Sequence, residues 1–179
     1  MGFDLYGENP IQKTSVKKFP VYAKYVDMDF TEKQKEFNKD ENLQSTYYNQ
    51  LGEYEEANPG FYFRNNCWWW RPLWDFVCKE CDDILDDSDM EAGGWNDGKI
   101  ISEDKSVKIA VRLNALIEDG TVKQYEVSYE ASRLEAEQNN KGKKMKDEGY
   151  SWSASYPFSE DNVREFANFC AESGGFSIC

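Results

Sequence analysis

The sequence predicts a mostly α-helical protein: one compact domain, residues 1–179, of about four to six helices with irregular, aromatic-rich connections and at most a minor β element. Three observations predict this class. Apolar residues recur at helical spacing in several segments. Capping residues, glycines and prolines bound those segments. Hydrophobic residues make up 40% of the 179-residue chain, which is enough to build one core.

The N-terminal third combines an arm with a first helical region. Residues 1–30 are predicted to be an irregular arm, because glycines and prolines interrupt any periodic pattern there. One or two amphipathic helices are expected over 31–57, where Thr31 and Gln34 match the capping-box spacing. Residues 61–64 (FYFR) are predicted to form a short strand or an extended connection.

Four further helices are predicted in the remainder of the chain. Pro72 suits the first position of a helix, since its missing N–H has no partner there. Ser102 is expected to cap the next helix, which Gly120 ends. Thr121 begins a second capping-box pattern, and Ser159 is expected to cap the last helix.

Two segments interrupt or follow these helices. The charged residues 137–156 are predicted to include a flexible loop, because lysine, glycine, asparagine and glutamate replace the apolar pattern. Gly174 and Gly175 are expected to end the last helix, and an apolar tail, 176–179, follows.

The charge balance narrows the set of partners. There are 34 acidic and 21 basic residues, so the net charge is −13. Direct nucleic-acid binding is not expected of such a chain, because phosphates repel it, and the same holds for anionic membranes. No apolar run approaches the roughly 20 residues of a membrane span.

The chain contains no histidine. Ser-His-Asp and Cys-His nucleophilic sites are therefore excluded as usually built, together with zinc sites that use imidazole ligands. A catalyst would need carboxylates, lysine, tyrosine or cysteine to move protons. No recognised catalytic pattern is present, so a non-catalytic role is favoured and no cofactor is predicted.

Five cysteines, an odd number, favour reduced thiols and a cytoplasmic location. The first residues also lack the basic and apolar regions of a secretory leader. Cys78 and Cys81 have CxxC spacing, which is typical of a zinc half-site or a redox pair. They lie within a helical pattern, however, and no second CxxC exists, so a packing role is favoured.

The most unusual segment is PGFYFRNNCWWWRPLW, residues 59–74. Three consecutive tryptophans point in different directions on any regular backbone, so at least one indole is expected to be exposed. Two interpretations stay open, and they can coexist on different indoles. One is a tryptophan-rich core whose indole N–H groups are held by Asn and Asp. The other is a recognition surface, since Trp and Arg dominate binding hot spots. Its candidate residues are Arg64, Asn65, Asn66, Trp68, Trp69, Trp70 and Arg71.

A cluster of aspartates forms the second candidate site. DDILDDSD, residues 82–89, contains carboxylates that could hold Mg²⁺ or Ca²⁺. It lacks the EF-hand loop pattern, and a solvated helix end is the simpler interpretation. If a metal were bound, the candidate ligands are Asp82, Asp83, Asp86 and Asp87.

Three segments together carry a resemblance: MGFDLYGENP at 1–10, NPGFYFRNNCWWWRPLWDFVCKECDDIL at 58–85 and YPFSEDNVREFANFCAESGGFSIC at 156–179. They resemble an uncharacterised family of bacteriophage-encoded proteins that has the PGxYFRNNxWWWRPLW signature and an SGGFxIC C-terminus. The resemblance implies a phage origin and a setting in the host cytoplasm. It implies no mechanism.

Three functional hypotheses follow. The leading one is a non-catalytic phage binding protein, for example a host-defence antagonist, which recognises a nucleotide-like small ligand or a host protein through the Arg/Asn/Trp surface. The second is an acidic interaction protein such as a nucleic-acid mimic. The third is a metal-dependent enzyme that uses the aspartate cluster.

Overall fold

A computed structural model describes residues 2–179 and contains a small antiparallel sheet. Its strands are β1 (Gly2–Gly7), β2 (Tyr62–Asn66), β3 (Lys99–Ile101) and β4 (Phe176–Ile178). Their order is β2-β1-β4-β3, and every neighbouring pair is antiparallel. The first and last of these strands, β1 and β4, are thus adjacent in the middle of the sheet.

Helices make up most of the remaining structure. Within residues 2–179 they are α1 (Pro20–Tyr25), α2 (Phe30–Phe37), α3 (Glu41–Ala57), α4 (Cys67–Glu80), α5 (Asp87–Ala92), α6 (Glu103–Glu118), α7 (Thr121–Asn139) and α8 (Glu160–Glu172). The mostly α class with a minor β element is confirmed. The helix count exceeds the expected four to six, because α1 and α5 are too short to show a repeating pattern. None of these described helices has the length and apolar character needed to cross a bilayer.

The N-terminal strand differs from the expected irregular arm. β1 lies between β2 and β4, and it buries the side chains of Phe3 and Leu5. Its partners are about 60 and 170 residues away in sequence. A strand fixed by such distant pairing leaves no local turn signal, which is why the sequence of 1–30 does not reveal it.

The core has two parts. The larger part lies between the sheet and helices α4, α6 and α8. The smaller part is aromatic and joins α1, α2 and α3; its buried members are Tyr22, Tyr25, Phe37, Tyr47 and Tyr54. Asn58, fully buried after α3, accepts a hydrogen bond from the Thr14 amide and donates one to the Tyr54 carbonyl, both at 2.8 Å. This asparagine ties the smaller cluster to the N-terminal segment.

Several predicted helix ends are confirmed. The Ser102 hydroxyl caps α6 and the Ser159 hydroxyl caps α8. Gly120, Gly174 and Gly175 all have positive φ, as expected for residues that end a helix.

Two predicted capping boxes are wrong. The side chain of Asp29, not Thr31, caps α2 by accepting the amides of Thr31 and Glu32. At α7 the N-cap is Gly120, and the Thr121 amide is accepted by the Asp119 carboxylate instead. In both places a carboxylate two residues earlier accepts the amide hydrogen of the predicted cap.

The predicted loop is shorter than residues 137–156. Helix α7 continues to Asn139, and a 3₁₀ turn forms over Trp152–Ser155. Between them the side chain of Asn140 both donates to the Ser151 carbonyl and accepts from the Ser151 amide, each at 2.8 Å. This pair closes the base of the irregular segment; its flexibility stays a prediction.

Candidate functional site

Helix α4 begins earlier than Pro72. The Asn66 side chain accepts the amides of Trp68 and Trp69 at 3.0 and 3.2 Å, so the helix starts at Cys67 and includes the whole tryptophan run. Pro72 lies inside the helix and is buried. It has no amide hydrogen for the Trp68 carbonyl one turn earlier. The strong Asn66 cap explains why the helix forms upstream of the proline.

Two of the four indoles in this segment belong to the core. Trp70 is 0% exposed, and its ring stacks on that of Trp74. Their Nε1 atoms donate to the carbonyls of Gly93 and Met90, at 2.7 and 2.9 Å. The expected acceptors, Asn and Asp side chains, are replaced by main-chain oxygens. Trp70 is therefore not part of a recognition surface, because a ligand would have to open the core to reach it.

Trp68 takes the opposite role. It is 38% exposed, as expected for at least one member of the run, and its ring centroid is 5.0 Å from that of Tyr156. Arg71, one turn later, donates from Nη1 to the Tyr156 hydroxyl at 3.0 Å. These three side chains form the surface cluster, a name used below for Trp68, Arg71 and Tyr156. Trp69, the next residue along the helix, is half-buried.

Arg71 differs from the other arginines in its electrostatics. The chain has five, and within residues 2–179 Arg71 alone forms no salt bridge. The other pairs are Arg64 with Asp4, Arg112 with Asp83, Arg133 with Glu130 and Arg164 with Glu160. Since the Tyr156 hydroxyl uses only one of its donors, the guanidinium keeps several N–H groups for another acceptor.

The remaining predicted residues have structural roles or lie elsewhere. Asn66 is occupied as the helix cap, and Asn65 donates from Nδ2 to Oδ1 of Asn162 at 2.8 Å, which joins β2 to α8. Arg64 lies on β2, with Nε 3.4 Å from the Asp4 carboxylate. Of the seven predicted residues, the structure thus brings only Trp68 and Arg71 into direct contact with the aromatic partner.

Sequence reasoning missed that partner. Tyr156 lies 85 residues from Arg71, between a 3₁₀ turn and the Ser159 cap. Nothing in its local sequence shows that the segment returns to α4. The one signal in the sequence is the apolar context of Tyr156, Tyr-Pro-Phe, which indicates that this segment packs against the rest of the protein.

A hydroxyl-lined cavity of about 280 Å³ lies on α7. Its lining residues are Tyr125, Ser128, Tyr129, Ser132, Arg133 and Ser153. The hydroxyls of Ser128 and Ser132 donate to main-chain carbonyls. Burial, with Tyr125 beside it, raises the pKa of Tyr129 to about 12, so this tyrosine keeps its proton at neutral pH.

The aspartate cluster is largely paired with cations. Asp83 forms two hydrogen bonds with Arg112, at 3.1 and 2.9 Å. Asp86 caps α5 and pairs with Lys105 at 2.7 Å, and this lysine holds the pKa of Asp86 at about 2. Lys105 also pairs with Asp89, which is buried.

The candidate metal ligands do not form an assembled site. Asp82 and Asp87 are exposed, while Asp83 and Asp86 face different cations. Across residues 2–179, no three histidine, cysteine or acidic side chains come together in a way that could hold a metal ion. The paired cations on Asp83 and Asp86 occupy the oxygens that an ion would need.

At the end of α4, Cys81 is buried and Cys78 is half-buried. Burial raises the pKa of both Cys78 and Cys81 to about 12, and neighbouring carboxylates, Asp75 for Cys78, add to the effect. Reactive or metal-binding cysteines need the opposite environment, one that stabilises the thiolate. Both residues carry free thiols. The packing role predicted for them agrees with this burial.

The fold and this surface define a class: a helix-rich domain with a small antiparallel sheet, which displays an aromatic pair beside a guanidinium that forms no salt bridge within residues 2–179. Comparison with protein-family models, with curated proteins and with solved structures finds no match to this chain. The resemblance to phage-encoded proteins therefore stays a prediction.

Proposed function

We propose that this chain is a non-catalytic binding protein and that the surface cluster holds a small nucleotide-like ligand, a planar ring that carries a phosphate. The observation that carries the proposal is Arg71, a guanidinium with no salt bridge in residues 2–179, hydrogen-bonded to Tyr156 and one turn from the exposed indole of Trp68. In a chain of net charge −13, Arg71 is a local cation that can attract an anion, and the Asp75 carboxylate one turn along α4 offsets part of its charge.

The chemistry of the three side chains fits that ligand. Stacking of a base on an aromatic side chain contributes about 1–3 kcal/mol. A guanidinium pairs with phosphate through two parallel hydrogen bonds, and these bonds are stronger than neutral ones. Trp68 and Tyr156 offer faces inclined by 56°, so one ring can cover a base while the other keeps Arg71 in place.

Several titratable groups also favour a binding role, whereas burial raises the pKa of the Glu55 and Asp75 carboxyls towards neutrality. The chain has no histidine, and burial moves the pKa of Tyr129, Cys78 and Cys81 away from neutrality. These groups therefore hold their protons and do not exchange them near pH 7, as a general acid or base must.

We further propose a phage origin, a location in the host cytoplasm and a role against a host defence, in which the protein binds a nucleotide-like signal or contacts a host protein. The support is the sequence resemblance together with the unpaired Arg71. A nucleic-acid mimic is less well supported, because its tryptophans are expected to be buried, whereas Trp68 is exposed, and because Asp83 and Asp86 of the aspartate cluster are paired with cations.

Calorimetric titration with the four nucleoside 5′-monophosphates tests the binding site. We expect saturable binding of at least one, weakened about tenfold or more by Trp68→Ala and by Arg71→Ala. Matched controls are Trp95→Ala, which removes an exposed indole elsewhere, and Arg164→Ala, which removes an arginine paired with Glu160. Absence of binding to all four nucleotides, or equal affinities in all variants, would overturn the proposal.

A further inference from the structure

Strand β2 forms one edge of the sheet and pairs with β1 alone. The Phe61 carbonyl accepts the Gly7 amide, and Phe63 lies opposite Leu5. In an antiparallel ladder only alternate residues bond a given neighbour. Phe63 therefore directs its main-chain N–H and C=O towards β1, while those of Tyr62 and Arg64 face away from the sheet.

The other side of β1 confirms this alternation. Asp4 and Cys179 exchange two main-chain hydrogen bonds of 2.8 Å. Asp4 thus bonds towards β4, which leaves its neighbours Phe3 and Leu5 to bond β2. The outward groups of Tyr62 and Arg64 form an open hydrogen-bonding edge, the feature to which extended peptides add in β-augmentation.

A groove of about 470 Å³ runs along this edge, between the end of α3 and the outer face of α8. The six residues that matter to its chemistry are Glu55, Glu56, Tyr62, Arg64, Glu165 and Asn168. The side chain of Phe63 points to the opposite face of β2 from those of Tyr62 and Arg64, and all three residues line the groove. The groove therefore follows the edge of the strand and does not lie on one face of the sheet. Its volume is within the range of about 300–1,000 Å³ that is usual for ligand sites.

The groove is acidic. Glu55, Glu56 and Glu165 form no salt bridge in the part of the chain that the structure describes, residues 2–179. Helix α3 contains no lysine or arginine. Glu55 and Glu56 lie near its C-terminus, where the helix dipole is also negative, and no cation of the helix offsets their charge. Arg64, the groove's one cation, is beside Asp4. Burial raises the pKa of Glu55, which shows that its charged form is poorly solvated.

We propose that the edge of β2 binds an extended peptide rich in lysine or arginine, a segment of a partner protein, as a fifth strand of the sheet. Its main chain pairs with Tyr62 and Arg64, and its cationic side chains reach Glu55, Glu56 and Glu165. Charge complementarity selects this occupant, since a second copy, with a net charge of −13, would bring mostly like charges into the groove except at its lysine-rich residues 141–146. The site is separate from the surface cluster and does not depend on nucleotide binding.

A fluorescein-labelled peptide of about seven alternating lysine and valine residues tests the proposal against the full chain. Two further peptides carry backbone N-methyl groups, each on one of the two alternate sets of residues. A strand forms main-chain hydrogen bonds to a given neighbouring strand through only one of these two sets of residues. We therefore expect one methylated peptide to bind about tenfold more weakly and the other to bind like the parent. In amide NMR spectra the parent peptide should shift Tyr62 and Arg64.

Charge is tested separately. Glu165→Gln should weaken binding several-fold, whereas Glu135→Gln, at an exposed glutamate on α7, should leave it unchanged. A glutamate-valine peptide should not bind. Equal affinity of both methylated peptides, equal effects of the two variants, or peptide-induced shifts away from β2 would overturn the proposal. So would self-association of the chain through Tyr62 and Arg64 in the absence of peptide.

Discussion

The indole of Trp70 stacks on that of Trp74, with ring centroids 5.2 Å apart and planes inclined by 18°. The two residues are one helical turn apart on α4, so the stack lies along the helix. Both indole N–H groups donate across to main-chain oxygens in or just after α5, at Met90 and Gly93. The pair therefore fixes a short helix of six residues against the core, which α5 could not achieve through its own length.

Gly93 is predicted to be the least replaceable glycine next to this stack. A Cβ atom at Gly93 would lie 1.8 Å from Nε1 of Trp74, far inside contact distance. Gly93→Ala should therefore destabilise the fold by about 3 kcal/mol or more, measured by urea unfolding.

Gly52 is the matched control for that substitution. It lies within α3, and an added Cβ would meet no atom within 4 Å. Gly52→Ala should stabilise the protein by about 0.5–1 kcal/mol, because alanine is the better helix former. Destabilisation of similar size at both positions would show that the close approach to Trp74 has no special cost.

Replacing Trp70 is predicted to lower the stability of the fold, whereas replacing Trp68 is predicted to weaken ligand binding with little effect on stability. Trp70→Ala should cost about 3–5 kcal/mol, since it empties a fully buried site and orphans the Gly93 carbonyl. Trp68→Ala should cost about 1 kcal/mol or less, the loss of one surface aromatic contact. Urea unfolding of both variants measures the difference; equal costs would contradict the division of the tryptophan run into core and surface.

The sequence predicted the helical elements best where the signal is local. Ser102 and Ser159 cap α6 and α8 as expected, because a cap depends on amides two or three residues away. At α4 the local proline signal was outweighed by the Asn66 cap and by burial of the tryptophan stack. Only Pro72 was predicted as the start of this helix; the N-cap at Asn66 was not predicted.

The candidate site could be predicted only in part, for the same reason. Trp68 and Arg71 are three residues apart in the chain, so the sequence analysis grouped them without predicting that one helix holds both. Tyr156, their aromatic partner, lies in a distant segment, and β2, the strand that lines the acidic groove, pairs with β1 about 60 residues away. Contacts between such distant segments leave no local spacing pattern in the sequence, because they depend on how α7 and the sheet position those segments.

The buried thiols should be protected from reagents. With a pKa of about 12, Cys78 and Cys81 are ionised in roughly one molecule in 10⁴ at pH 8, and only the thiolate reacts. Burial also raises the pKa of Cys170. A colorimetric disulfide reagent should modify the exposed Cys179 first, and Cys179→Ser should remove that fast phase. Fast modification of Cys78 or Cys81, or a disulfide between them, would contradict the packing role.

The ion pair of Asp86 with Lys105 should make stability depend on pH in the acid range. Lys105, together with the main-chain amide of Asp89, lowers the pKa of Asp86 from 3.8 to about 2 in the folded state. Because the folded pKa is the lower one, the stabilisation is present above about pH 4 and is lost as the pH falls towards 2. Asp86→Asn keeps a good N-cap residue while removing the charge.

Urea unfolding of Asp86→Asn between pH 2.5 and 7 tests this dependence. The variant should be less stable than the wild type at pH 5–7, and the gap should narrow as the pH falls. Asp87→Asn, in the first turn of the same helix but without an ion pair in residues 2–179, controls for removing a carboxylate from α5. The gap for Asp86→Asn should exceed that for Asp87→Asn at pH 7. A gap that is constant with pH would mean that Asp86 acts as a neutral cap and that Lys105 serves Asp89 alone.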